Sequence, residues 1–174
     1  MGYVSQLCES TSNLRAYNTQ IFSRATNVDV PTYLTAYADG EGCFCASINR
    51  STRHKFGLEI RPSFSVSQNQ NRSEVLDLFK GYFGCGTIRP DRSDKTLKYE
   101  VRSLKDLVSK VIPHFEKYPI ISAKNEDFKV FKVVCLRMFV KEHLTKTGLK
   151  ELLVLSKEIN KSGLKKYINW EIKI

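Results

Sequence analysis

The sequence predicts an α+β domain in which helices cover one side of a four-stranded antiparallel sheet. Three observations point there: two pairs of short alternating segments, each pair split by a polar turn; helical periodicity before, between and after the pairs; and two further amphipathic stretches towards the C-terminus. The predicted order is helix, two strands, helix, two strands, helix, with additional C-terminal helices.

The first helix starts near Pro31, with Asp29 placed as its cap, and runs through Tyr33, Leu34, Tyr37 and Ala38. It ends at Asp39-Gly40-Glu41-Gly42, where two glycines permit a tight exit. Residues 43–49 read as a strand, Arg50 to Lys55 as a polar turn, and Phe56 to Gln68 as a second strand. Leu58, Ile60, Phe64 and Val66 share one side of that strand, and Glu59, Arg61, Ser63, Ser65 and Ser67 the other. Pro62 predicts a local irregularity. Such a sheet packs on one face and meets solvent or a polar ligand on the other.

Ser73 is expected to cap a helix over 74–82, with Val75, Leu76, Leu78, Phe79 and Phe83 facing inward. Gly84-Cys85-Gly86 then opens a second hairpin, with strands near 85–91 and 97–102 around the charged turn from Arg92 to Lys95. Ser103 begins a helix over 104–116 carrying Leu104, Leu107, Val108, Val111 and Ile112. Helices follow over 124–139, presenting Phe128, Phe131, Val134, Cys135 and Met138, and over 147–160, presenting Leu149, Leu152, Leu153, Leu155 and Ile159. Residues 161–174 hold a Gly-marked turn and a tail whose Trp170 is suited to covering the core.

The length suits one ordinary domain, taken as residues 29–174. Residues 1–28 have neither a secretory apolar core nor clear periodicity; an organellar leader, a translated remnant of an upstream frame and an N-terminal arm wrapping the domain all stay open. The compartment stays equally open between bacterial cytoplasm and organelle matrix. No apolar run approaches the roughly 18 residues that a membrane crossing needs, so no membrane partner is expected.

The 28 Lys and Arg against 18 Asp and Glu leave a net charge of +10, which favours a polyanionic partner over an acidic small molecule. The excess is local. Residues 46–72 carry Arg50, Arg53, Lys55, Arg61 and Arg72 against the single acid Glu59, whereas residues 1–32 are balanced. Five cysteines, an odd number without a close CxxC pair, argue against a disulfide framework and a zinc ribbon. Cys43 and Cys45 would share a strand face, and all five read best as small buried hydrophobes.

The predicted hairpins bring Arg50, Arg61, Arg89, Arg92, Lys98 and Arg102 onto or around the open sheet face, beside Ser and Gln side chains. A two-stranded ribbon of that kind fits the major groove and its donor and acceptor pattern. The base contacts expected are Asn49, Arg50, Arg61, Ser63, Arg89 and Lys98, although a one-residue slip would reverse the face. His54, His114 and His143 are dispersed without metal-ligand spacing, so structural or surface roles are expected of them.

The segment Leu34 to Gly42, LTAYADGEG, combines a low-profile stripe with an acidic end. Ala36 and Gly40 lie four residues apart on one helix face, so two such helices can approach closely and bring their carboxylates together. Phosphodiester cleavage needs a water nucleophile and relief of developing negative charge, and carboxylates holding a divalent metal supply both. Glu41 is the sharper metal candidate, while Asp39 can bind metal, cap, or buttress the helix packing.

This segment resembles the signature of the LAGLIDADG homing endonucleases. The resemblance continues through Cys43-Phe44, the FSVSQ of Phe64 to Gln68, the FGCG of Phe83 to Gly86, and Tyr118 to Ile121 on to Lys124 to Phe128, covering about residues 31–160. Thr35 departs from the usual Ala, Ala36 from the common Gly, and Glu41 from Asp. Glutamate keeps the oxygen ligand with one more methylene, and alanine still permits close packing.

The resemblance implies the αββαββα core of that fold, with its four-stranded antiparallel sheet on DNA. It implies Glu41 at the metal and scissile phosphate, with the Gly40 backbone carbonyl as a further ligand and Mg²⁺ as the ion, Mn²⁺ able to substitute. Gln68 corresponds to a residue that orders active-site water, and Arg72 to a basic residue of the solvent network. Lys124 is assigned the phosphate or a polarised water, with Ser122 the alternative at that position. Tyr33, Ala36, Tyr37, Asp39 and Gly40 fall at the helix interface. A single signature copy implies a homodimer cutting both strands of a long, near-palindromic duplex across the minor groove, leaving four-base 3′ overhangs and promoting intron mobility. An intron RNA-splicing cofactor and a DNA-binding protein without catalysis remain the rival classes.

Overall fold

Alternation along two neighbouring segments produces the pairing on which the domain is built. The computed structural model describes residues 28–91 and 95–159; the N-terminal segment, Arg92 and the tail with Trp170 lie outside the described residues. Strand β1 (Gly42–Arg50) pairs antiparallel with β2 (Leu58–Asn69), in a register that sets Phe44 opposite Phe64 and Ile48 opposite Ile60. Strand β4 (Thr96–Val101) pairs with the other edge of β2, and β3 (Thr87–Pro90) closes the order β1-β2-β4-β3.

Pro62 does not disturb β2, contrary to expectation: it stands in register opposite Ala46. The reason is topological. Pairing with β4 begins at Phe64, so at Pro62 one edge of β2 is open and the missing N–H can fall there.

Helix α1 (Val30–Glu41) leads directly into β1, so Glu41 is its last residue and does not lie beyond it. Asp29 stands at the cap position without a side-chain cap bond; its carboxylate instead accepts from the Thr32 hydroxyl. Ser73 likewise does not cap helix α2 (Glu74–Phe83), because its hydroxyl donates to the Gln70 carbonyl at 3.2 Å in the 3₁₀ turn Gln70–Arg72. Ser103 does cap, accepting from Asp106 N at 3.3 Å.

The next helix, α3, comprises Leu104–Asp106, a π-helical stretch Leu107–Val111 and Ile112–Lys117. Pro113 explains the widened turn, since a proline inside a helix lacks a donor and its ring crowds the carbonyl four residues back. Helix α4 (Lys124–Phe139), a 3₁₀ turn (Glu142–Leu144) and helix α5 (Lys146–Glu158) complete the layer.

All these helices pack on one face of the sheet. Phe44 is the hub: its ring centroid lies 5.2–5.3 Å from those of Phe64, Phe115, Phe128 and Phe131. Each fully buried phenylalanine contributes about 1.5–3 kcal/mol of transfer free energy, so this ring cluster fixes the helices against β1 and β2. Gly86 is required where the second hairpin opens, since it adopts φ +79° and an added Cβ would lie 2.7 Å from Tyr99 Cε2. Tyr99, buried there, donates its hydroxyl to the Cys85 carbonyl at 3.0 Å.

Candidate active site

Glu41 ends α1 with an exposed carboxylate that takes no hydrogen bond or ion pair among the described residues. Its neighbours are committed elsewhere. Asp39 accepts from the backbone of Ile121 at 3.3 Å and of Ser122 at 3.1 Å, and from the Ser122 hydroxyl. The Ser122 hydroxyl bond, the two backbone bonds and the nearby Lys124 charge outweigh partial burial and hold the Asp39 carboxyl below the usual carboxylate range. Asp39 therefore ties the end of α1 to the segment entering α4.

Lys124 donates to the carbonyls of Ala38 at 3.0 Å and Gly40 at 3.2 Å. A cation at the negative end of a helix dipole is favourable, and the contact fixes the ammonium beside the Glu41 turn. The Gly40 carbonyl, expected as a metal ligand, thus already accepts one bond from Lys124. Ser122 and Lys124 belong to one network: Lys124 N donates to the Ser122 hydroxyl at 3.2 Å.

On the other side of α1, Gln68 donates its amide N–H to the Tyr37 hydroxyl, and its Oε1 accepts from Asn69 N at 2.7 Å. The two bonds fix the amide orientation. Burial first, and then the Glu41 charge against the lowering effect of the Gln68 bond, raise the Tyr37 phenol above its ordinary value, so it stays protonated at neutral pH. Gln68 and Arg72 line one hollow with Tyr33, Tyr37 and Glu74. Arg72 is exposed and makes no ion pair among the described residues.

The outer face of α1 is bare. Tyr33 is 43% exposed, Ala36 and Gly40 are exposed, and an added Cβ at Gly40 meets nothing within 4 Å. The opposite face is pinned by a polar tether that the sequence did not reveal. Thr35 Oγ1 lies 3.1 Å from His114 Nε2 and donates to the Tyr118 carbonyl at 3.2 Å, while His114 Nδ1 lies 3.0 Å from the Tyr82 hydroxyl. Burial pushes the His114 pKa down to about 4, so the imidazole is neutral at ordinary pH. Thr35, a departure from the family pattern, is thereby accounted for.

The free face of the sheet carries Asn49, Arg61, Ser63, Lys98 and Arg89 as expected, aligned through the pairs Asn49–Glu59, Cys45–Ser63 and Arg89–Lys98. Arg50, at the end of β1, has the parity of Phe44, Ala46 and Ile48 but is exposed, and it lines an open hollow at the β1–β2 turn with Arg53, His54, Lys55 and Arg61. The acids of this face were missed as partners. Glu59 pairs with Arg61 at 2.7 Å, Asp91 with Lys98 at 2.9 Å, and Glu100 with both Arg89 at 3.0 Å and Arg102 at 2.9 Å. Their signal was the alternation itself, which places Glu59 and Glu100 on the polar parity. Cys43 and Cys45 share this face half-buried, and Cys135 alone of the four described thiols is buried. No cluster of three or more His, Cys, Asp or Glu positioned for a metal occurs among the described residues.

The sequence profile of the LAGLIDADG endonucleases matches residues 34–135, and the chain belongs to this family. A probable intron-encoded endonuclease of Neurospora crassa is 33% identical over 124 residues, covering 71% of this chain and 27% of that protein. Among solved structures, the homing endonuclease I-TnaI superposes with a TM-score of 0.71 at 35% identity, covering 75% of this chain and 87% of its own. The meganuclease I-SmaMI, solved on uncleaveable DNA, superposes with a TM-score of 0.74 at 31% identity, covering 79% of this chain and 47% of its own. The chain spans about a quarter of the length of the first curated relatives it matches. The α+β fold with its four-stranded antiparallel sheet is thus that of the homing endonucleases.

Proposed function

We propose that this protein is a site-specific homing endonuclease that makes a divalent-metal-dependent double-strand break in a long, near-palindromic DNA target, acting as a homodimer. The observation that carries the reading is the free Glu41 carboxylate at the end of a helix whose outer face is bare and low in profile. Support comes from the family membership, from the chain's net charge of +10 and from the free sheet face that carries Arg61, Arg89 and Lys98. No described helix is long and apolar enough to cross a membrane.

The Glu41 carboxylate, without a hydrogen bond or ion pair among the described residues, suits Mg²⁺, an ion that retains waters and binds through one or two carboxylates plus substrate phosphate. Mn²⁺ would substitute. Glu41 would hold the metal, which supplies a nucleophile from water at neutral pH and neutralises charge on the phosphate. Packing Ala36 and Gly40 of α1 against the same residues of a second copy would bring two Glu41 carboxylates together. Gln68, locked by Tyr37 and Asn69 N, has one amide hydrogen left to orient water, with Arg72 beside it. Lys124 spends two of its three donors on α1 and keeps one for the phosphate. Paired cuts of this family type would leave four-base 3′ overhangs and promote intron mobility.

The test separates binding from cutting. Glu41→Gln should lower the Mg²⁺-dependent cleavage rate by about 1000-fold and leave salt-sensitive binding to the same duplex within a few-fold. Undiminished cutting removes Glu41 from its role; tight binding by the wild type with no cutting in Mg²⁺ or Mn²⁺ makes the protein a non-catalytic binder.

A further inference from the structure

A carboxylate in the middle of a surface meant for a polyanion repels it, and Glu100 is such a group. It sits on the free face of β4, opposite Ser65 on one side and Thr87 on the other. It is 9% exposed, whereas the Arg89 and Arg102 side chains above it are 41% and 63% exposed. Arg89 reaches its Oε2 through Nε at 3.2 Å and Nη2 at 3.0 Å. Arg102 reaches Oε2 through Nε at 2.9 Å and Oε1 through Nη2 at 3.2 Å.

One carboxylate therefore accepts two hydrogen bonds from Arg89 and one from Arg102, whose Nε adds an ion-pair contact at 2.9 Å. Every guanidinium has five N–H donors in a rigid fork, so each keeps at least three beyond its bonds to Glu100, on side chains that are 41% and 63% exposed. The cluster retains a net positive charge, two cations against one anion. Glu59 and Asp91 pair with Arg61 and Lys98, and their side chains are more exposed, at 24% and 28%.

We propose that Glu100 is a specificity-setting positioning residue, which fixes Arg89 and Arg102 as a rigid pair of donors for the acceptor-rich edge of guanine in the major groove. The inference rests on the duplex-DNA reading above. Bidentate arginine contacts to guanine O6 and N7 are the commonest specific ones, and preorganisation decides whether a fork reads a base or merely attracts a phosphate. Glu100 thus lowers attraction to DNA in general and raises discrimination among sequences.

The experiment is a binding selection from a random duplex library, in Ca²⁺ to suppress cutting, with the full chain and its Glu100→Gln and Arg89→Lys variants. The wild type should enrich a motif with a guanine preference under the β3–β4 hairpin. Glu100→Gln should relax that preference about tenfold or more at one or two adjacent positions, with other positions unchanged and binding to random-sequence duplex equal or tighter. Arg89→Lys should relax the same positions, which keeps the test intact if the Glu100 variant does not fold. A wild-type motif reproduced unchanged by folded variants, or a uniform loss at all positions, overturns the role of Glu100 alone. A wild type that enriches no sequence overturns the DNA reading with it.

Discussion

Phe64 and Ser63 are neighbours on β2, yet they belong to surfaces governed by different physics. Phe64 is fully buried among the rings of Phe44, Phe79, Phe83, Tyr99 and Phe115. Ser63 stands opposite Cys45 on the face that no helix covers. The helix side is specified by volume and shape, and it supplies the stability. The free side is specified by where acids hold bases, and exposed pairs of that kind contribute little to stability. The comparison teaches that changes on the two faces should separate cleanly, those on one side altering folding and those on the other altering recognition.

The largest effect follows from that separation. Phe64→Ala should destabilise the domain by about 3–5 kcal/mol, whereas Ser63→Ala should fall within about 0.5 kcal/mol of the wild type; chemical denaturation of both variants measures the contrast. Gly86→Ala comes next, at about 1–3 kcal/mol, since it forces a left-handed residue and a Cβ against Tyr99. A fully stable alanine variant would mean that the turn can relax without moving β4.

Ala36→Leu sharpens the comparison on a third surface. Because Ala36 is exposed on α1, the substitution should leave the stability of one chain within about 0.5 kcal/mol. It should nevertheless lower both dimer mass in sedimentation and cleavage rate. An active dimer with leucine there would refute the helix contact.

A further effect is in pH. The unfolded His114 takes up a proton near its ordinary value of 6.5 and the folded one only near about 4, so the unfolded state binds more protons in that window. Stability should therefore rise with pH between about 4 and 6.5 and gain nothing more from this group above it. His114→Gln should flatten that slope in thermal melts across the window, and an unchanged slope would assign the dependence to other groups. Asp39 adds a separate acid limb: its contribution is complete above the ordinary carboxylate range and is lost as pH falls through its lowered folded value.

Most of the architecture was legible because it rests on periodicity. The parity of β2 read from Leu58 to Val66 is the parity observed, and α4 keeps its predicted bounds. Failures occurred where a tertiary partner decides. Whether Pro62 breaks a strand depends on where the neighbouring strand begins, and Ser73 preferred the Gln70 carbonyl to the helix it precedes. The acidic end of α1 was legible as chemistry, but the commitments of Asp39 to Ser122 and of Lys124 to two helix carbonyls arise between segments more than 80 residues apart. No local pattern encodes them. For Glu100 the alternation gave the face, but its pairing with Arg89 depends on how β3 registers against β4.

The central claim, that two copies of this chain join at α1 to cut duplex DNA with Glu41, is tested most directly by Mg²⁺-dependent cleavage selection from a large duplex library with end sequencing, Glu41→Gln run in parallel. The account predicts one near-palindromic site with four-base 3′ overhangs, absent with the variant. Cleavage that survives in the variant, or no cleavage by a folded wild-type dimer at full library coverage, would contradict it.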